Sequence, residues 1–136
     1  MGSKKRMATS VSNNELEIPL DYEDTLNQFL YRAGQSAAKH NIKMIIFYHP
    51  TTGYDEHGNL VLDTDERYLK LFKDACENNG ITFVDMSEPF TRLYEEEHIL
   101  AHGFSYSAVG VGHLNEYGHE VIAKELADII KKEDEI

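Results

Sequence analysis

The sequence predicts an α/β fold, a three-layer α/β/α arrangement on a parallel sheet that is incomplete within this chain. Three observations predict it. Helical patterns alternate with short apolar runs, the sequence form of right-handed βαβ units. The two runs, Ile42 to Tyr48 and Ile81 to Asp85, are almost continuously apolar and rich in β-branched and aromatic residues, as strands covered on both faces are. Only two such runs occur, and a two-stranded parallel sheet leaves both edges open. The sheet is therefore expected to be completed by an upstream segment or by another subunit, including a second copy of this chain.

Composition sets the outer limits. The chain has 136 residues, 41% of them hydrophobic and 27% charged, which suits one domain with a modest core. No apolar run approaches the roughly 20 residues that span a bilayer. Net charge is −11, from 24 acidic and 13 basic residues, so the mean field repels phosphate backbones and anionic lipid headgroups. Nucleic acid and membrane surfaces are accordingly poor partners. The basic opening, Met1 to Arg6, lacks the apolar segment and cleavage site of a secretion signal and is compatible with an expression leader. The cytoplasm is the default expectation for compartment. The single Cys76 sits in an apolar helical pattern with no second cysteine or basic cluster near it, and reads as a buried structural thiol.

Residues 1–20 show no period and read as a flexible lead-in to a domain over 21–136. From Asp21, Leu26, Phe29, Leu30, Ala33 and Ala37 fall at helical spacing behind an acidic first turn, which predicts a helix ending near His40 and Asn41. His40 in its last turn reads as a partner for the helix C-terminus. The first strand run follows, and His49-Pro50-Thr51-Thr52-Gly53 breaks its pattern at the carboxyl end, the edge where ligands sit in open α/β sheets. Tyr54 to Leu62 has a turn-rich centre, Asp55-Glu56-His57-Gly58-Asn59, between flanks able to pair as a hairpin. Asp63 and Glu66 have capping-box spacing ahead of a helix that carries Tyr68, Leu69, Phe72, Ala75 and Cys76 and closes at Asn79-Gly80. After the second strand run, Ser87-Glu88-Pro89 starts a helix expected to end near Ala101 to Gly103. His98 and His102 are four apart, but no HExxH pattern and no third ligand at a diagnostic spacing accompany them, so no metal or other cofactor is expected. Residues 104–112 read as a loop of small residues, Tyr117 to Ile130 as a final amphipathic helix, and Lys131 to Glu135 as a solvated tail.

The most informative stretch is Gly110 to Ala123. It joins a glycine-loosened loop, His113 just before a helix N-cap, and the helix itself. A histidine so placed suits proton transfer, although a polar loop residue is the simpler reading of the same pattern. Gly112-His113-Leu114-Asn115, followed by Gly118 and Val121-Ile122-Ala123, resembles the last motif block of the SGNH (GDSL-type) hydrolases. Lys43 to Pro50 and Ile81 to Asp85 are similar to that family's last two core strands. The resemblance spans about residues 22 to 131, and it implies a flavodoxin-like three-layer sandwich of which this chain is the C-terminal portion.

What the resemblance implies about chemistry is an ester hydrolase of the esterase, lipase or carbohydrate deacetylase class. His113 would be the general base, taking a proton from a serine hydroxyl and returning it to the leaving alcohol. Small-molecule or carbohydrate acyl esters would be the substrates. From their places near the expected ligand edge, not from the resemblance, His49, Tyr54 and Phe104 are the candidate substrate-binding residues, and with Tyr48 and Tyr106 they also favour a non-catalytic binding module. Two departures accompany the match. The family's aspartate three residues before the histidine is here Gly110, with Asp85, Glu116 or a backbone carbonyl as possible replacements. The block carrying the nucleophilic serine is absent, and Ser105 and Ser107 do not lie on a strand-to-helix turn. The isolated chain is therefore expected not to turn over esters. The competing expectation is a non-catalytic α/β module that binds carbohydrate or protein. A receiver-type phosphoacceptor domain shares the element order, but its clustered acids and later lysine cannot be placed.

Overall fold

A computed structural model describes residues 16–135. Most of the flexible lead-in expected over 1–20 lies outside the described residues. From Leu16 to Asp21 the chain has no helix or strand, and the Pro19 carbonyl accepts the Tyr22 N–H at 3.0 Å. The elements then follow as α1 (Tyr22–Lys39), β1 (Ile45–Tyr48), β2 (Thr51–Tyr54), β3 (Leu60–Asp63), α2 (Glu66–Asn78), β4 (Thr82–Asp85), α3 (Ser87–Glu97) and α4 (Glu116–Asp134). They form two compact units. One runs to Ile46 and takes in Asp65–Phe83; the other comprises Phe47–Thr64 and the chain from Val84 onward.

In the first unit, α1 and α2 close on a core of Leu30, Ala75, Cys76 and Ile81, with Leu26, Ala33, Met44, Ile46, Phe72 and Phe83 packed around it. Burying a side chain such as Leu30 stabilises by about 2 kcal/mol. The helical spacing of α1 placed Phe29 on this side as well, yet Phe29 is 67% exposed, so the buried stripe is narrower than the apolar pattern. His40 caps α1 as expected, with Nδ1 donating to the Ser36 carbonyl at 2.8 Å. The α2 N-cap is Asp65, which accepts the Arg67 N–H at 3.0 Å, because Asp63 is consumed as the last residue of β3. The Arg67 guanidinium also grips the Asp65 carboxylate at 3.2 and 2.9 Å and holds its pKa below the usual carboxylate value. Cys76 is fully buried, and burial pushes its thiol pKa up.

The second unit is built on Met86, Phe90, Leu93 and Ala101, with Phe47, Val84, Ile99, Leu114, Val121 and Ile122 against them. The antiparallel hairpin of β2 and β3 pairs Thr51 with Asp63 and Tyr54 with Leu60. Its first strand thus begins directly after Pro50, within the segment read from sequence as a break. The Asp55 carboxylate folds the turn by accepting the backbone N–H groups of His57 (2.8 Å) and Asn59 (2.9 Å). Helix α3 stops at His98, whose φ of +55° takes the left-handed C-cap conformation, earlier than the end expected near Ala101 to Gly103. Helix α4 continues through Asp134, so most of the stretch read as a solvated tail is helical.

Strands β1 and β4 pair in parallel as a two-stranded sheet. The Thr82 N–H donates to the Met44 carbonyl at 3.1 Å in the first unit, and the Met86 N–H donates to the Tyr48 carbonyl at 2.9 Å in the second. Every residue of β1 is half-buried, whereas the sequence predicted a strand covered on both faces inside a sheet. Among the described residues β1 has β4 as its one strand neighbour, so its other edge is unpaired. The chain is an α/β protein with a small parallel sheet, and no described helix is long and apolar enough to cross a membrane.

Candidate functional site

The motif around His113 is first of all a clamp. Asn115 caps α4, its Oδ1 accepting the Gly118 N–H at 3.0 Å, while its Nδ2 donates to the carbonyls of Leu100 (2.7 Å) and Gly103 (3.2 Å). The Asn115 N–H donates to the Ala101 carbonyl at 3.0 Å, and the Gly103 N–H donates to the His113 carbonyl at 3.1 Å. His102 and Leu114 form an antiparallel bridge between the two segments. Gly118 completes the arrangement, because a Cβ there would overlap the Ala101 carbonyl oxygen. Asn115 and Gly118 therefore have structural duties, and His113 contributes its backbone carbonyl alone. Among the described residues nothing hydrogen-bonds to the His113 ring, which is exposed.

That ring lines a hollow of about 440 Å³ together with His49, Thr51, His102, Gly112, Leu114 and His119. His49 stands directly after β1, so the hollow lies at the carboxyl end of the parallel pair. Four imidazoles and no carboxylate line it, a set suited to hydrogen-bonding a ligand oxygen or moving a proton. Among the described residues no group of three or more His, Cys, Asp or Glu has the arrangement to hold a metal ion. The helix face that would have joined His98 to His102 does not exist, since α3 ends at His98. His98 packs edge-on against Tyr94 (5.7 Å, 88°), and His102 is 5% exposed in the loop beyond.

His102 is the site residue that local sequence pattern signals least. Its Nδ1 lies 2.9 Å from the Thr52 Oγ1 and its Nε2 lies 3.3 Å from the His49 Nδ1. Phe90 packs edge-on against it at 5.8 Å. Burial, reinforced by the neighbouring His49, holds the His102 pKa below the ordinary histidine value. The available signal was its place at the end of the apolar run Ile99-Leu100-Ala101, which argues for an inward side chain.

The other expected residues divide. Tyr54 and Phe104 line a second hollow, of about 330 Å³, which also reaches His102, Gly110 and Tyr117. Phe104 stacks flat on Tyr106 (5.4 Å, 4°), and Tyr106 is 85% exposed. Tyr48 is half-buried and its hydroxyl is engaged with Thr64 Oγ1 at 2.6 Å. Asp85 accepts the Ser87 N–H at 2.9 Å, and neither it nor Glu116 lines the hollow of His113. Ser107 Oγ accepts the Phe104 N–H at 2.8 Å and lies within 3.2 Å of the carbonyls of Phe104, Ala108 and Val111, so it staples a turn. Gly110 is buried at φ +71°, and a Cβ there would overlap the Thr52 carbonyl oxygen and lie 3.2 Å from Gly53 Cα. As this loop is folded, that position has no room for an aspartate.

Comparison with protein-family models, curated proteins and solved structures returns no match for this chain.

Proposed function

We propose that the chain is the C-terminal portion of an SGNH-type ester hydrolase with a flavodoxin-like three-layer fold, in which His113 is the general base. One observation carries the reading: the His113 carbonyl is held by the Gly103 N–H and the chain just after it is pinned by Asn115, while among the described residues the His113 ring has no hydrogen-bond partner, on a hollow at the carboxyl end of β1. A side chain spared from structural work at that edge is where proton-transfer chemistry is expected. The unpaired edge of β1 supports completion of the sheet by an upstream segment or another subunit, which would bring the serine and the oxyanion donors.

In that role His113 takes the serine proton as the hydroxyl attacks the acyl carbon and returns it to the departing alkoxide. Gly110 gives it no acid, so His113 works as a serine-histidine dyad. The substrate class is an acyl ester of a small molecule or carbohydrate. For the isolated chain the expectation is background-rate hydrolysis of p-nitrophenyl acetate and no serine labelled by a fluorophosphonate. Labelling of Ser105 or Ser107, with turnover lost in His113→Ala, would overturn the assignment of the nucleophile to another segment.

The exposed aromatic rings support a second reading, a non-catalytic carbohydrate-binding module. Phe104 and Tyr117 line both the second hollow and a third of about 390 Å³ that Tyr106 also lines, giving flat faces on which a sugar ring can stack. Oligosaccharide binding lost in Tyr106→Ala, in a completed protein whose His113→Ala variant behaves as wild type, would favour the module over the enzyme.

A further inference from the structure

Among the described residues Thr52 and His102 are the buried polar side chains of the second unit; they bond to each other, and His102 carries the chain of bonds on to His49 at the hollow. We propose that His102 is the positioning residue of His49: it holds the His49 ring by Nδ1, so that His49 meets a ligand through Nε2 as a second proton-transfer group, independent of His113.

The argument rests on donors and acceptors. A neutral imidazole has one N–H and one lone pair, while the Thr52 hydroxyl can donate or accept. Two arrangements satisfy the chain when both rings are neutral. In one, His102 donates from Nδ1 to Thr52 and accepts the His49 Nδ1–H at Nε2. In the other, Thr52 donates to His102 Nδ1, and His102 donates from Nε2 to the lone pair on His49 Nδ1. Once His49 carries two protons only the first survives, because both of its nitrogens are then donors and His102 must supply the lone pair. His102 is suited to do so, being enclosed by Phe90 and Thr52, with burial holding its pKa below the ordinary histidine value.

A flipped His49 ring would turn carbon toward His102 and forfeit the bond, which favours the orientation with Nδ1 on His102. Among the described residues His49 Nε2 has no protein partner, and His49 lines the hollow beside His113 and His119. With no carboxylate among the lining residues, the group that meets His49 Nε2 is a ligand hydroxyl, a bound water or an anionic oxygen. No covalent step is involved. One proton is taken up at Nε2 and released from the same atom.

The test is two-bond ¹H–¹⁵N spectroscopy of the imidazoles in the ¹⁵N-labelled chain, followed on acidification. The expected result is that on acidification His102 keeps its proton on Nδ1 and its lone pair on Nε2, accepting the His49 Nδ1–H there. The His49 Nδ1–H should then be protected from exchange with water. That protection should vanish in His102→Phe and persist in His102→Gln, whose amide oxygen can accept the same bond. A His102 whose proton sits on Nε2 throughout would overturn the proposal. So would unchanged protection in a folded His102→Phe variant. None of these outcomes depends on ester hydrolysis, so failure here leaves the role of His113 standing, and the reverse also holds.

Discussion

Replacing Gly110 by alanine should destabilise the chain more than replacing any glycine that is strained in dihedral alone. At φ +71° an L-residue costs about 1–2 kcal/mol. The new methyl would also meet the Thr52 carbonyl and Gly53 Cα, which are backbone atoms of β2 and cannot swing aside as a side chain would. Overpacking of that kind costs a further ~1–3 kcal/mol, for a total of about 2–5 kcal/mol. Gly58→Ala is the control, because its φ of +79° carries the dihedral cost while no atom lies within 4 Å of the added Cβ. Urea titration followed by far-ultraviolet circular dichroism suits a chain without tryptophan. With a slope of about 2 kcal/mol per molar, the middle of the usual range, Gly110→Ala should lower the midpoint by about 1–2.5 M and Gly58→Ala by about 0.5–1 M. Equal midpoints for the two variants would refute the close approach of this loop to β2. The same geometry predicts that Gly110→Asp installs no working acid beside His113 and is destabilised like the alanine variant.

Asn115→Ala removes the α4 cap and leaves the Leu100 and Gly103 carbonyls without that donor, a loss of about 2–4 kcal/mol by the same titration; Asn115→Asp, which keeps the cap but cannot donate, should recover part of it. The depressed pKa of His102 makes stability depend on pH with a definite sign. The unfolded chain binds a proton at this histidine near pH 6.5, by about which point the folded chain has not, so the contribution is whole above that value and is lost as pH falls toward the folded pKa. His102→Phe should flatten this part of the stability profile. Cys76 should react with a thiol reagent only as fast as the first unit opens, so addition of urea should accelerate labelling sharply, whereas rapid labelling of the native chain would contradict its burial.

The fold was legible where periodicity and punctuation agree. Asn79-Gly80 closes α2, with Gly80 at φ +68°, and Asn115 caps α4, as their residue types indicate. The end of α3 was not legible, because Tyr94 to Leu100 keeps an apolar rhythm while His98 adopts a left-handed cap that its residue type does not signal. Pro50 signals a break in sequence, yet a strand can start right behind a proline that needs to donate no ladder bond, as β2 does at Thr51. His113 and His49 were both singled out from their places beside a cap and a strand end, and both line one hollow. His102 escaped because its role depends on Thr52 and His49, 50 and 53 residues away in sequence, a tertiary meeting that local spacing does not encode. Gly110 likewise reads in sequence as a missing acid, and only the passage of the loop over β2 gives it a positive reason to be glycine.

The most direct test of the central claim is ester turnover by the chain joined to the segment that completes its sheet, compared between wild type and His113→Ala. Proton transfer by a positioned histidine accounts for roughly a hundred-fold or more in rate. The account predicts a fall in kcat of at least that order, with the folded structure retained. An unchanged rate in a folded His113→Ala protein would contradict it.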